Sequence, residues 1–179
     1  MIRTITETDR LLIREFGPDD AEAFYAFNSD PEVMRHTGEP MSESVEQVRE
    51  KIRSYPDYRE HGYGRWAVVY KEDNRVIGFN GLKYLPEMDR IDIGYRFLPE
   101  YWGRGIATES SLAVLEYGFQ VLRMDAIIGL VVPENQGSIQ VLKKLGMVFR
   151  GMNDCLGLNA ERWEITREMY ISRNNGDPD

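Results

Sequence analysis

The stretch Ile91-Asp92-Ile93-Gly94-Tyr95-Arg96-Phe97-Leu98-Pro99-Glu100-Tyr101-Trp102-Gly103-Arg104-Gly105-Ile106-Ala107-Thr108 decides how this chain is read. A strand feeds a short turn, and the turn opens a helix. Small residues at Gly103, Gly105 and Ala107 keep side chains clear of the turn, so several backbone N–H groups can face one anion. A helix N-terminus carries about half a positive charge and amides without partners. The dipole contributes only ~0.3–1 kcal/mol, whereas each amide bonded to a charged oxygen adds ~1.5–3 kcal/mol. The amides dominate, and the glycines matter because they admit the anion. The bland alternative is a tight turn before a core helix. Two familiar phosphate motifs fit poorly. A P-loop needs Lys-Ser/Thr after its second glycine, where Ile106-Ala107 stand. A dinucleotide fingerprint needs a third small residue after Gly105 and an acid ending the next strand, but Asp125 precedes that strand.

Working outward, Thr8 to Phe16 reads as a strand, Pro18 to Asn28 as a helix, and Pro31 to His36 as a helical turn. Ser42 is the expected cap of a helix to about Tyr58, with Pro56 straining its last turn. Strands at Gly64–Tyr70, Arg75–Tyr84 and Arg90–Leu98 form a meander. The helix after Gly105 runs to about Leu122 with Leu112, Leu115, Phe119 and Leu122 as its apolar stripe. Asp125–Val132 has the continuous apolar character of a central strand. A helix at Asn135–Leu145, stopped by Gly146, and strands at Met147–Met152 and Glu161–Ile171 complete a mixed α/β sheet. Residues 1–173 read as one domain, and Asn174 to Asp179 as a disordered polar tail.

Composition narrows the function. Lys and Arg total 22 against 30 Asp and Glu, a formal charge of -8, which opposes general nucleic-acid binding and suits a cationic partner such as an amine. No apolar run approaches the ~18–20 residues that span a bilayer, and the charged start lacks a signal-peptide core. A cytoplasmic protein is the default expectation. The single cysteine, Cys155, has no internal partner, and no Cys/His cluster resembles a metal site.

Trp102-Gly103-Arg104-Gly105-Ile106-Ala107 resembles the pyrophosphate loop of the GNAT acetyltransferases, Gln/Arg-x-x-Gly-x-Gly/Ala, with Trp at the first position. That form, with Thr8-Asp9-Arg10-Leu11-Leu12-Ile13-Arg14, Asp30-Pro31-Glu32-Val33-Met34 and Asp92-Ile93-Gly94-Tyr95, is similar to the branch of the RimJ/RimL ribosomal-protein N-terminal acetyltransferases. The likeness spans about Thr8 to Tyr170. It implies a mostly antiparallel mixed sheet with a central splayed parallel pair and helices on both faces. It also implies acetyl-coenzyme A as donor and a primary amine as acceptor, most simply a protein α-amino group. Small-molecule amines and a non-catalytic acyl-CoA sensor remain alternatives, and a homodimer is left open.

The same resemblance distributes roles. Gly103, Arg104, Gly105, Ile106, Ala107 and Thr108 would hold the pyrophosphate. The backbone of Tyr95, Arg96 and Phe97 would pair with the pantetheine amides as an added strand would, with Gly94 as a bulge. Asp92 matches a strand carboxylate that serves as base; its plainer reading is an ion-pair partner. Asn135 would contact the cofactor, with a helix N-cap as the rival role, and Ser138 would donate to the departing sulfur. The family's acid tyrosine, seven residues after the asparagine, is Leu142 here, so that role does not carry over. Trp66, Tyr84 and Trp163 are acceptor-pocket candidates whose commoner fate is the core.

Overall fold

The computed structural model describes residues 2–155 and 157–175. Its eight strands form one sheet in the order β1-β2-β3-β4-β5-β6-β8-β7. The strands are β1 (Thr4–Glu7), β2 (Leu11–Arg14), β3 (Arg65–Tyr70), β4 (Arg75–Leu85), β5 (Arg90–Phe97), β6 (Ala126–Val131), β7 (Val148–Cys155) and β8 (Leu158–Thr166). Every neighbouring pair is antiparallel except β5–β6, which is parallel and registers only at Asp92↔Ile128. The mixed sheet with a splayed central pair is therefore the observed architecture.

Helices cover both faces, as adjacent residues of β4 show, because successive side chains on a strand point oppositely. Phe79 meets Phe24 and Phe27 of α1 (Ala21–Asn28), ring centroids 6.3 and 6.0 Å away. Its neighbour Asn80 donates to Ser110 and Ser111 of α5 (Ile106–Glu116), 2.8 Å each. The first face also carries α2 (Pro31–Met34) and α3 (Val45–Arg53), followed by α4 (Asp57–Glu60). Two further helices are α6 (Gln136–Lys144) and α7 (Arg167–Asn175). Trp66, Ile77, Leu82, Leu115, Phe119 and Ile127 are among the fully buried side chains of the core.

Several boundaries differ from the sequence reading, each for a physical reason. A short edge strand, β1, precedes β2, and its polar Thr-Ile-Thr-Glu sequence gave little alternation to read. Ser44, not Ser42, caps α3 by accepting from Gln47 N at 3.1 Å, and the segment breaks after Arg53 before resuming beyond Pro56. α5 ends at Glu116, followed by one wider turn through Val121 with Leu122 N bonded to Tyr117 O at 3.0 Å. Its buried face includes Ser110 and Ser111, so Leu112 is left 41% exposed: counting apolar residues missed two serines buried against Asn80. The last strand stops at Thr166, and Arg167 to Asn175 turn into α7. Asn174 and Asn175 are thus helical rather than tail; residues 176–179 lie outside the described residues.

Candidate active site

The turn after β5 is shaped by left-handed backbone. Gly103 has φ 68° and Gly105 φ 77°, conformations that side-chain-bearing residues adopt at a cost. No heavy atom lies within 4 Å of where a Cβ on Gly103 would stand. Gly105 is the N-cap of α5, whose first turn is closed by Glu109 N to Gly105 O at 2.9 Å. The N–H groups of Gly105, Ile106, Ala107 and Thr108 therefore have no acceptor within the helix. Trp102–Gly105 are exposed. The Arg104 guanidinium is drawn away, 5.2 Å over the rings of Tyr70 and Tyr101 and bonded to Tyr70 Oη at 3.1 Å. Trp102 lies 46% exposed, yet its indole N–H donates to Phe97 O at 2.9 Å and pins the turn to β5.

Beside this loop the sheet opens. β5 is paired with β4 from Leu85↔Arg90 to Gly78↔Phe97, but on its other edge it meets β6 only at Asp92↔Ile128. The edge of Ile93 to Phe97 facing β6 is left without a strand partner. Asp92 sits at the fork, 7% exposed. Its carboxylate receives Arg65 at 2.5 Å and the Leu130 backbone N–H from β6. Burial holds the Asp92 carboxyl above its ordinary value, against the opposing pull of Arg65, the Leu130 N–H and Lys83. Arg65 also donates to Gly81 O at 2.6 Å and Asp92 O at 3.1 Å.

Gly94 is not a bulge. It pairs in regular register with Gly81, and a Cβ there would stand 2.5 Å from the Arg65 guanidinium. Gly81 and Gly94 are a smooth floor across which Arg65 reaches Asp92. The bulge nearest the site lies in β4 instead, where the register passes from Val69↔Val76 to Val68↔Gly78 and leaves Ile77 over.

On the far side of the opening, Asn135 caps α6, its Oδ1 accepting from Ser138 N at 3.1 Å. The N-cap role is thus real, and the Ser138 hydroxyl stands half-buried in the first turn. Tyr95 reaches across from β5 and donates to Ser138 O at 3.4 Å; burial pushes its phenol up to about 12, keeping it a proton-bearing donor at neutral pH. Arg96 leaves on the opposite face, paired with Asn28 and, at 3.1 Å, with Glu39, and it helps line a cavity of about 170 Å³ with Phe16, Phe24 and Tyr55. Desolvation lowers the Arg96 pKa. Trp66 and Trp163 are buried core residues, and Tyr84 turns outward to Asp89 at 2.9 Å.

A glycine-shaped helix start beside a parallel pair that joins at a single point is the geometry the loop sequence resembles. The model of the acetyltransferase (GNAT) domain matches residues 10–148. The chain belongs to the GNAT acetyltransferases. YoaA of Bacillus subtilis strain 168, named as an uncharacterized N-acetyltransferase, is 35% identical over 150 residues, covering 83% of this chain and 85% of the relative. A solved GNAT acetyltransferase from Bacillus anthracis superposes with TM-score 0.76 at 30% identity, over 90% of this chain and 98% of that one. More distant is a spermidine N(1)-acetyltransferase of Escherichia coli K12, 24% identical over 140 residues, 78% of this chain and 73% of its own length. As a GNAT enzyme the chain uses acetyl-CoA as acyl donor and acetylates an amine. The open loop and the unpaired β5 edge fit that donor: the first offers amides for a diphosphate, the second offers strand-like pairing to an amide-bearing arm.

Sequence reasoning missed Arg65 as Asp92's partner. It also read Thr8 and Arg10 as the start of a strand and as part of a resemblance, whereas both lie in the turn before β2 and reach α5. Among the described residues no group of His, Cys, Asp and Glu could hold a metal ion, and no helix is long and apolar enough to cross a membrane.

Proposed function

We propose that this GNAT enzyme acetylates a primary α-amino group, a protein N-terminus foremost, by direct attack of the neutral amine on the thioester carbonyl. The reading keeps the RimJ/RimL-like assignment that the loop and strand motifs suggest. One observation carries it: Asp92, the carboxylate at the fork, is already engaged by Arg65 at 2.5 Å and by Leu130 N–H. Burial raises its pKa, but a carboxylate so engaged must give up these bonds to take a proton, which favours an acceptor that sheds its own proton cheaply. An α-amine of pKa ~7.7–8.0 does so at pH 7 for about 1 kcal/mol, whereas a lysine amine near ~10.4 needs roughly 4–5 kcal/mol.

The chain's own residues then take these parts. The N–H groups from Gly103 to Thr108 grip the diphosphate, and the Tyr95–Phe97 edge aligns the pantetheine arm. Asp92 and Arg65 hold the fork open. Asn135 fixes the start of α6, and Ser138, with the Tyr95 hydroxyl beside it, supplies a hydrogen bond to the departing sulfur. Thioester chemistry supplies the activated acyl group. No covalent enzyme intermediate is needed, since the chain has one cysteine and no Cys-His nucleophile motif. An isolated acetyl-enzyme competent to transfer its label would contradict this.

A polyamine is the second reading, favoured by the charge of -8 and by the relative named for spermidine. Thiol release with acetyl-CoA separates the two when three acceptors are compared: a peptide with a free α-amine, the same peptide blocked there but carrying lysine, and spermidine. The α-amine peptide is expected to give the highest kcat/KM, rising with pH through about 7.7–8.0. Faster turnover of spermidine would move the assignment to polyamines. Absence of turnover with every amine tested would favour a non-catalytic acyl-CoA sensor.

A further inference from the structure

The turn Thr8-Asp9-Arg10-Leu11 lies far from the cofactor loop in sequence but not in space. Thr8 N bonds to Leu11 O at 2.9 Å and Leu11 N to Thr8 Oγ1 at 3.0 Å, so the turn between β1 and β2 is internally fixed. Lys71, the first residue after β3, steadies it, its N bonding Arg10 O at 2.9 Å and its Nζ Thr8 O at 2.6 Å. From this platform Arg10 sends both terminal nitrogens to Arg104 O, 3.1 Å each, and its Nε to Glu109 Oε2 at 2.7 Å. Thr8 Oγ1 takes the other carboxylate oxygen of Glu109 at 2.5 Å.

We propose that Arg10 is a positioning residue for acetyl-CoA: it aims the Gly105 amide at the diphosphate and neutralises Glu109, the acid in the first turn of the binding helix. The inference rests on the reading that Gly103–Thr108 hold the diphosphate. A trans peptide is planar, with its C=O and N–H pointing opposite ways. Fixing Arg104 O on the guanidinium therefore fixes the direction of Gly105 N–H, the N-cap amide of α5. Without that anchor the Arg104–Gly105 peptide, which leads into a left-handed glycine, loses the side-chain bonds that hold its orientation. Arg10 has a second effect. Glu109 suits the helix dipole but repels an anion at the same helix end. Burial opposes its ionised form, yet the bonds from Thr8 and Arg10 outweigh burial and hold its pKa below the ordinary value, so it stays charged. Arg10 cancels that charge where the diphosphate would feel it.

The test compares CoA with pantetheine, which shares the arm but has no diphosphate, by calorimetric Kd on wild type, Arg10→Met and Arg10→Lys. Acetyl-CoA and acetyl-pantetheine serve as the matching substrates. Arg10→Met keeps the stem's length and apolar packing but loses every donor. Its Kd for CoA and its KM for acetyl-CoA are expected to rise about tenfold or more, the value of one hydrogen bond to a charged oxygen. The pantetheine Kd, kcat/KM for acetyl-pantetheine and kcat with saturating acetyl-CoA should stay within about threefold. Arg10→Lys keeps charge without the fork and should fall between; it decides the matter if the methionine variant does not fold. Equal CoA affinity in wild type and both variants overturns the role of Arg10, as does an equal loss for CoA and pantetheine, which would mark a merely structural residue. If wild type does not prefer CoA to pantetheine, the diphosphate reading of the loop fails instead.

Discussion

Replacing Arg65 with methionine should destabilise the protein by an amount that pH controls. Arg65 and Asp92 have side chains only 19% and 10% exposed, and the pair is closed at 2.5 Å. Removing one partner of a buried ion pair typically costs ~3–5 kcal/mol, because the survivor is left charged in a poor solvent. The carboxylate has an escape, which is to take up a proton. Starting from an ordinary pKa of ~3.9, protonation at pH 7 costs about 4 kcal/mol, and at pH 5 only about 1.5 kcal/mol, at ~1.36 kcal/mol per unit. The loss is therefore bounded by these figures. The sign follows from linkage. Burial already raises the Asp92 pKa in the folded state, and without Arg65 it is raised further. The folded protein then binds more protons than the unfolded chain, and stability falls as pH increases above the unfolded value.

Thermal and urea unfolding of wild type and Arg65→Met between pH 5 and 8 measures this directly. For a chain of this size each kcal/mol is worth about 2–4 °C, so the Tm deficit should reach roughly 8–16 °C at pH 7 and shrink to roughly 3–6 °C at pH 5. The double variant Arg65→Met/Asp92→Leu should recover most of the deficit, since no buried charge remains. A deficit that is flat with pH, or grows as pH falls, would refute the assignment of a buried, Arg-compensated carboxylate at the fork.

Three further outcomes test the surrounding geometry. Gly94→Ala should reproduce the pH-dependent deficit in milder form, because its Cβ would lie 2.5 Å from the Arg65 guanidinium and push it off Asp92; matched pH unfolding curves would show it. Gly105→Ala, at φ 77°, should lose about 1–2 kcal/mol in urea titration and bind CoA more weakly, whereas Ala107→Gly should leave the loop's conformation intact. Asp92→Asn should lower turnover while leaving the rising limb of the pH–rate profile where the acceptor's own amine puts it. A limb that shifts with this substitution would make Asp92 the base after all.

Much of the architecture was legible because its signals are local. The Gly103-Arg104-Gly105 turn, the apolar run of β6 and the strand–turn–strand spacing each follow from short stretches of sequence. Helix faces were less legible where polar atoms are buried. Ser110 and Ser111 add nothing to an apolar stripe, and their burial follows from Asn80, 30 and 31 positions away, which supplies both hydroxyls with a donor. The N-terminal arm was harder still: Thr8 and Arg10 reach Glu109 across 101 and 99 positions, and nothing local announces that contact.

The Arg65–Asp92 pair shows why such a site escapes a reader of the sequence. Counting back from the hairpin pair Tyr70↔Arg75, a regular ladder would set Arg65 opposite Asn80. The charge would then face α5, against Ser110 and Ser111, where no acid waits. The bulge at Ile77 adds one residue to β4, so Arg65 stands opposite Gly81 instead, and Gly81 opposite Gly94 in turn. A slip of one position moves a side chain to the other face of a sheet. Here it carries the guanidinium to the face where two glycines leave room and Asp92 lies beyond them. Strand-interior glycines often mark close approach by something else, and two of them facing each other was the available clue. Which residue approaches them is decided by the bulge, and beside it β4 and β5 pack closely, since a Cβ on Gly78 would clash with Arg96 O. The placement of charge at the fork is thus a consequence of contacts between strands, established only once the sheet has assembled.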